Sequence, residues 1–259
     1  MQNDISFWKK FIELNLNYNI DYMVENSIKD FHFKGLNYIC FQFMPHLTVR
    51  LYVIEPSEPV DTKNVNIHNH LYDSQILVLT SSITNNVYKK IDGEDYNHYY
   101  LTSALCPTNE SKKIKLDTLG KCSLEQIKSI QLFPGDSHFQ DHTEIHNVEN
   151  DTTKLTAFMV FEFPTVKHNS ILFSKKDYGK TIPTDNCYNR FSATEIKKHW
   201  EEVEPGYFDR NRKFIDKDGW LNANMFFFKK LTKKGEKLID VKDGCFLRPK
   251  TLGVVLNGA

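Results

Sequence analysis

The chain has 259 residues, 40% of them hydrophobic and 25% charged, which is enough apolar material for one substantial core and excludes a disordered or fibrous chain. Lysine plus arginine and aspartate plus glutamate both number 33, so no global field draws in nucleic acid or an anionic membrane, and the expected partner is a small molecule. Cys40, Cys106, Cys122, Cys187 and Cys245 are scattered without a C-x-x-C pair, and their odd number speaks for a reducing, cytoplasmic setting. No apolar run reaches signal-peptide length at the N-terminus, or the roughly 20 residues that span a bilayer elsewhere.

In chain order, Ile5, Phe7, Trp8, Phe11, Ile12 and Leu14 recur at near-helical spacing, and a second such segment runs from about Ile20 to Ile28. Two short helices are expected there. Beyond Phe31 the pattern changes to short β-rich runs: NYICFQFM, HLTVRLYVIE, NVNIHNH, QILVLTSSITNNVY, HYYLTSAL, IKSIQLF and KLTAFMVFEF. Pro45, Pro56 to Pro59, Asp92-Gly93, Pro134-Gly135-Asp136 and Asn150-Asp151 punctuate them as turns. Strands without intervening helices predict an antiparallel sandwich or barrel.

After Pro164 the signal weakens until SATEIKKHWEEV, where Ser192 and Glu195 form a capping box opening a helix to about Val203. The apolar runs NANMFFF, GEKLIDV and LGVVL then read as extra strands or a closing flap. The organisation expected is an N-terminal helical segment over residues 1–30, a β-barrel over 31–165, and an α/β extension over 166–259 that packs on the barrel or caps it.

His68 and His70 stand two apart on a predicted strand, so both side chains project from one face and can share a metal ion. Downstream, SIQLFPGDSHFQDHTEIHNVEN supplies a strand, a Pro-Gly-Asp turn and a third imidazole, from His138 or from His146. His142 falls between them and is expected to be exposed. Three neutral imidazoles suit iron, zinc, copper or nickel and leave coordination positions open, which marks catalysis rather than a structural site.

These segments resemble the cupin superfamily, whose first motif contains H-x-H followed by a glutamate and whose second contains P-x-G, a histidine and an asparagine. Here His68-x-His70 with Gln75 stands for the first motif, and Pro134-Gly135-Asp136 with His146 for the second. The resemblance covers roughly residues 60–163. It implies a double-stranded β-helix barrel, an all-β fold with a metal inside, and sheet-edge pairing into a homodimer. By context in related sequences and by strand alternation, His146 is preferred over His138 as the third ligand. Gln75 replaces the usual acid, so the site is similar to the three-histidine iron sites of cupin thiol dioxygenases, with Gln75 or Asp73 as a fourth ligand.

Arg50 and Tyr52 alternate with Val49, Leu51 and Val53, so they face the side opposite that apolar set. There Arg50 could grip a substrate carboxylate, and an exposed edge is its other placement. Tyr88, Phe158 and Phe161 are candidates to line the cavity. Arg190-Phe191-Ser192 echoes the R-x-S of 2-oxoglutarate oxygenases, but Ser192 is already accounted for as a helix cap. Cys40 and Cys106 lack an adjacent base and read as structural.

The function expected is a mononuclear Fe(II) oxygenase, a non-haem iron dioxygenase taking dioxygen and a small polar metabolite such as an amino acid or thiol. His68, His70 and His146 hold the iron, and Arg50, Tyr52 and Gln75 are the catalytic candidates. Zinc, nickel or manganese are the alternative metals, serving a redox-neutral isomerase or lyase. A non-catalytic ligand-binding barrel is the reading from another class.

Overall fold

The computed structural model describes residues 12–32, 34–44, 47–56, 67–101, 113–167, 169–183 and 187–210. Residues 12–18 form helix α1 and Ile20–Asn26 form α2. Ile12, Leu16 and Met23 fall on one stripe of this pair and are buried, while Tyr18 is exposed. Eleven strands follow: β1 (Leu36–Met44), β2 (Leu47–Ile54), β3 (Ile67–His68), β4 (Tyr72–Thr80), β5 (Ile83–Leu101), β6 (Lys113–Leu132), β7 (Ser137–Gln140), β8 (Ile145–Asn150), β9 (Thr156–Thr165), β10 (Ser170–Ser174) and β11 (Thr181–Pro183). Helix α3 (Ala193–Arg210) closes the described chain, its first turn held by reciprocal Ser192 and Glu195 hydrogen bonds.

The strands build two antiparallel sheets, ordered β1-β2-β9-β4-β7 and β10-β3-β8-β5-β6-β11. They face each other across an interior where Ile76, Val78, Phe158 and Val160 of the first meet Ile83 and Leu132 of the second. The outer face of the five-stranded sheet is equally apolar. Val49, Leu51, Val53, Leu77, Leu79 and Met159 lie there, covered by Ile12, Met23, Ile196, Trp200 and Val203 of the helices.

This double covering inverts the usual reading of strand β2. Its apolar set faces outward beneath the helices, so Arg50 and Tyr52 point into the space between the sheets, and the edge placement of Arg50 is set aside. The same alternation separates Phe158, which is inside, from Phe161, which packs under the helices.

Two expectations are corrected. Asp92-Gly93 does not end a strand: β5 continues through it, with Ile91 opposite Ser123 and Tyr96 opposite Cys122, so residues 92–95 bulge from the ladder. Gly93 adopts φ 151°, and a Cβ there would lie 1.9 Å from Ser123 Oγ, so a glycine holds the close approach. The long partner β6 begins well before IKSIQLF, in a polar stretch whose side chains are largely exposed on both faces and carry no alternation.

Beyond residue 165 the chain returns to the sheets. Leu172 of β10 lies opposite His68, and α3 packs on the outer face of the five-stranded sheet. The runs NANMFFF, GEKLIDV and LGVVL, together with Cys106, Cys245 and residues 1–11, lie outside the described residues. No helix among the described residues is long and apolar enough to cross a membrane.

Candidate metal centre

β3 ends at His68, and the chain leaves it toward the other sheet. Asn69 is pinned to β10, its backbone N–H reaching Ile171 O at 3.1 Å and its Oδ1 accepting from Ile171 N at 2.8 Å. That anchor keeps the backbone extended, so His68 and His70 project to the same side of it. His146 of β8 is the Cα partner of His68, and facing residues of adjacent strands bring their Cβ atoms within about 5.5 Å.

The three rings converge. Centroids are 4.8 Å apart for His68 and His70, 4.9 Å for His68 and His146, and 5.1 Å for His70 and His146. One ligand nitrogen from each lies within 4.8 Å of the others, and His70 Nε2 is 2.9 Å from His146 Nε2. Two nitrogens bonded to one ion at about 2.1 Å and at right angles stand about 3.0 Å apart, so this spacing fits a pair of ligands. Burial holds the imidazoles of His70 and His146 well below the ordinary histidine range, with neighbouring His68 adding to the shift in both. Both are neutral near pH 7, the state in which imidazole ligates.

His146 has its other nitrogen tied. Nδ1 is 2.7 Å from Asn85 Oδ1, so Nδ1–H donates there and Nε2 keeps its lone pair for an ion. Asn85 is fully buried on β5, and its Nδ2 donates to Glu144 Oε1 at 3.1 Å. That acceptor fixes the amide orientation, and a carboxylate–amide–imidazole chain results. His138 joins this support rather than the trio: its Nε2 is 3.4 Å from Asn85 Nδ2 and 3.8 Å from Glu144 Oε1.

Gln75 is placed elsewhere. It shares its β4 face with Leu77 and Leu79 and lies between Phe139 and Phe161, on the helix-covered side away from the histidines. The reason is the corner at Asn69–Leu71, where the chain passes from the six-stranded sheet to the five-stranded one, so alternation counted from His70 does not carry across. Asp73 is committed to another partner: its Oδ1 accepts from the backbone N and the Nδ1 of His142, at 3.0 and 2.8 Å. His142 is therefore half-buried and paired, not exposed.

Arg50 and Tyr52 reach the interior within a network the sequence did not reveal. Arg50 Nη1 donates to Glu162 Oε1 at 2.5 Å, and the Tyr72 hydroxyl donates to the same oxygen at 2.7 Å. The Tyr72 ring lies 5.4 Å from that of His70, which links the network to the trio. Tyr52 stacks on Phe158 at 5.4 Å, and burial pushes its hydroxyl up to about 12, so it stays protonated. Burial likewise raises the Cys40 thiol to about 11, consistent with an inert cysteine. Tyr88 donates to Asn147 Oδ1. Arg190 donates to the Glu25 carbonyl.

Asn85, Glu144, Tyr72 and Glu162 were missed. The available signal for Asn85 was a polar amide inside the β-rich run SSITNNVY, where asparagine is disfavoured unless its side chain has work to do. Glu162 offered the same signal in MVFEF.

No protein-family model matches the chain, and no curated protein matches it. Solved structures similar to it include the hydroxypropylphosphonic acid epoxidase from S. wedmorenis, 14% identical over 54% of this chain and 57% of that one, with a TM-score of 0.33. A cupin superfamily protein from Desulfitobacterium hafniense DCB-2 is 11% identical over 50% of this chain and 77% of its own, with a TM-score of 0.28. A hydroquinone 1,2-dioxygenase in complex with Cd2+ and 4-hydroxybenzonitrile is 11% identical, covering 57% and 72%, also at 0.28. The chain thus spans just over half the length of the epoxidase. At these TM-scores both the fold, two facing antiparallel sheets, and the reading of the site rest on this chain's own geometry.

Proposed function

We propose that this protein is a mononuclear metal-dependent enzyme of the cupin type, an Fe(II) oxygenase acting on a small polar metabolite such as an amino acid or thiol. The observation that carries the reading is the convergence of His68, His70 and His146, with His146 Nδ1 tied to Asn85 so that Nε2 remains a ligand. A bound metal supplies a Lewis acid with open positions and, as iron, the electrons that dioxygen chemistry requires. The chain's own residues do the rest. His68, His70 and His146 hold the ion, Asn85 and Glu144 orient His146, and Arg50 and Tyr52 orient the substrate from the inner face of the neighbouring sheet.

A second reading, redox-neutral isomerase or lyase chemistry with zinc, nickel or manganese, draws on one observation: Glu162 is a fully interior carboxylate whose pKa burial raises. A buried carboxylate of raised pKa is a candidate for proton transfer. Elemental analysis of anaerobically purified protein, followed by oxygen-consumption screening with amino acids and thiols, tests the first reading. Iron at one per chain, lost in both His68→Ala and His146→Ala, is expected. Metal content unchanged by those substitutions would overturn it, and turnover indifferent to oxygen would select the second.

A further inference from the structure

Gln140 ends β7 on the inner side of the five-stranded sheet. Its neighbour Phe139 packs with the helix-covered cluster, while His138, two residues back, reaches Asn85 of the facing sheet at 3.4 Å. Strand alternation therefore turns Gln140 inward with His138. There it is 1% exposed, and its Nε2 is buried without a hydrogen-bond partner among the described residues. An N–H left in that state carries the full cost of its desolvation, so it calls for an acceptor.

Register places this donor at the level of the histidines. On β4, His138 stands beside Ile76 and Gln140 beside Ser74, which is two residues nearer to His70. On the facing sheet, Asn85 marks the His138 level, and two residues further along β5 Val87 stands beside His146. Both steps run the same way, because Ile83, two residues before Asn85, packs with Ile76 and Val78 at the apolar end of the interior. The inner row opposite His146 is thus Thr48, Glu162, Ser74 and Gln140, which are successive cross-strand partners. Glu162 in that row is occupied by Arg50 and Tyr72. Gln140 keeps an uncommitted N–H.

Resting on the metal-centre reading above, we infer that Gln140 is a ligand-binding residue of this site, donating Nε2–H to an oxygen of the molecule coordinated at the trio. The ligand class this selects is one that binds the metal through one atom and presents a carboxyl or carbonyl oxygen beside it. An amino acid meets that requirement and a simple thiol does not.

Visible absorption of the full chain loaded with Co2+, titrated with acetate and separately with imidazole, tests this. Acetate bound through one oxygen keeps a second as an acceptor, whereas imidazole bound through one nitrogen keeps only an N–H. Gln140→Met is expected to weaken acetate about tenfold, with imidazole affinity and Co2+ uptake at their wild-type values. Gln75→Met, which removes a buried amide from the helix-covered side of the same sheet, is the control and leaves both probes unchanged. Gln140→Glu keeps the shape and replaces the donor with an acceptor, so acetate binds more weakly and imidazole more tightly. Thermal unfolding of both metal-free variants separates lost binding from lost folding. Wild-type acetate affinity in either folded variant, or an equal loss for the two probes in Gln140→Met, overturns the inference. A loss confined to imidazole overturns it too, because the amide then acts through its oxygen. Absence of Co2+ uptake by the wild type overturns the metal reading and this inference with it, whereas failure of the inference alone leaves Co2+ uptake intact.

Discussion

Asn85 Oδ1 lies 2.7 Å from His146 Nδ1, two residues along β5 from Val87, the backbone partner of His146. This diagonal contact selects the tautomer that leaves Nε2 unprotonated. Asn85→Ala is therefore expected to weaken metal binding by about 10–100-fold without removing a ligand. Competition against a chelating dye measures it, with far-ultraviolet circular dichroism as the folding control. Unchanged affinity in a folded variant would remove Asn85 from the support of the site.

Gln75 yields the opposite expectation. Its face is turned to the helices, and its Oε1 is buried without a hydrogen-bond partner. Gln75→Met should leave the metal-to-protein ratio at the wild-type value and hold or raise the Tm, because an apolar group of similar size removes an unsatisfied acceptor. Loss of metal in this variant would restore Gln75 as a ligand.

The capping box of α3 makes a pH-dependent contribution. The Ser192 backbone N–H, then Lys29 and the Ser192 hydroxyl, hold the Glu195 carboxyl down to about 2. With the folded value below the unfolded one, this contribution is complete above about pH 4.3 and is lost as pH falls toward 2. Lys29 and Glu195 are 37% and 40% exposed, so solvent screening keeps the ion pair small. Ser192→Ala should cost about 1 kcal/mol in urea unfolding at pH 7, and less at pH 3. An equal cost at both values would rule out Glu195 as the titrating partner.

Gly93→Ala tests the bulge in β5. In an ordinary strand this change stabilises by about 0.5–1 kcal/mol. Here φ is 151° and the new Cβ meets Ser123, whose hydroxyl is bound to Asp95, so destabilisation of about 1–3 kcal/mol is expected. Hydrogen exchange should locate it at residues 92–95 and 122–124, and a stabilised variant would contradict the close packing.

Much of the fold was legible because β-rich runs and turn residues are local signals. The runs around Ile39, Leu51, Leu77 and Met159 all became strands, and the Ser192–Glu195 box opened α3 where expected. His68 and His70 were legible as a pair because a two-residue spacing on extended chain fixes their common side. Some features were not. β6 carries no apolar alternation in its exposed half, so nothing marked it as a strand, and Asp92-Gly93 imitates a turn while serving a bulge.

The amino-acid order alone thus determined the strand-rich class, the paired imidazoles on one side of the chain, and the presence of Arg50 and Tyr52 opposite an apolar set. Only the tertiary structure decided that His146 and not His138 completes the trio, because the choice depends on β8 lying beside β3, a contact between residues 78 apart in sequence for His68 and His146. It also decided on which side of β4 Gln75 lies. Helices cover the outer face of the five-stranded sheet, so both faces of β4 are buried and burial along it marks no inside and outside; the change of sheet after His70 then turned Gln75 away.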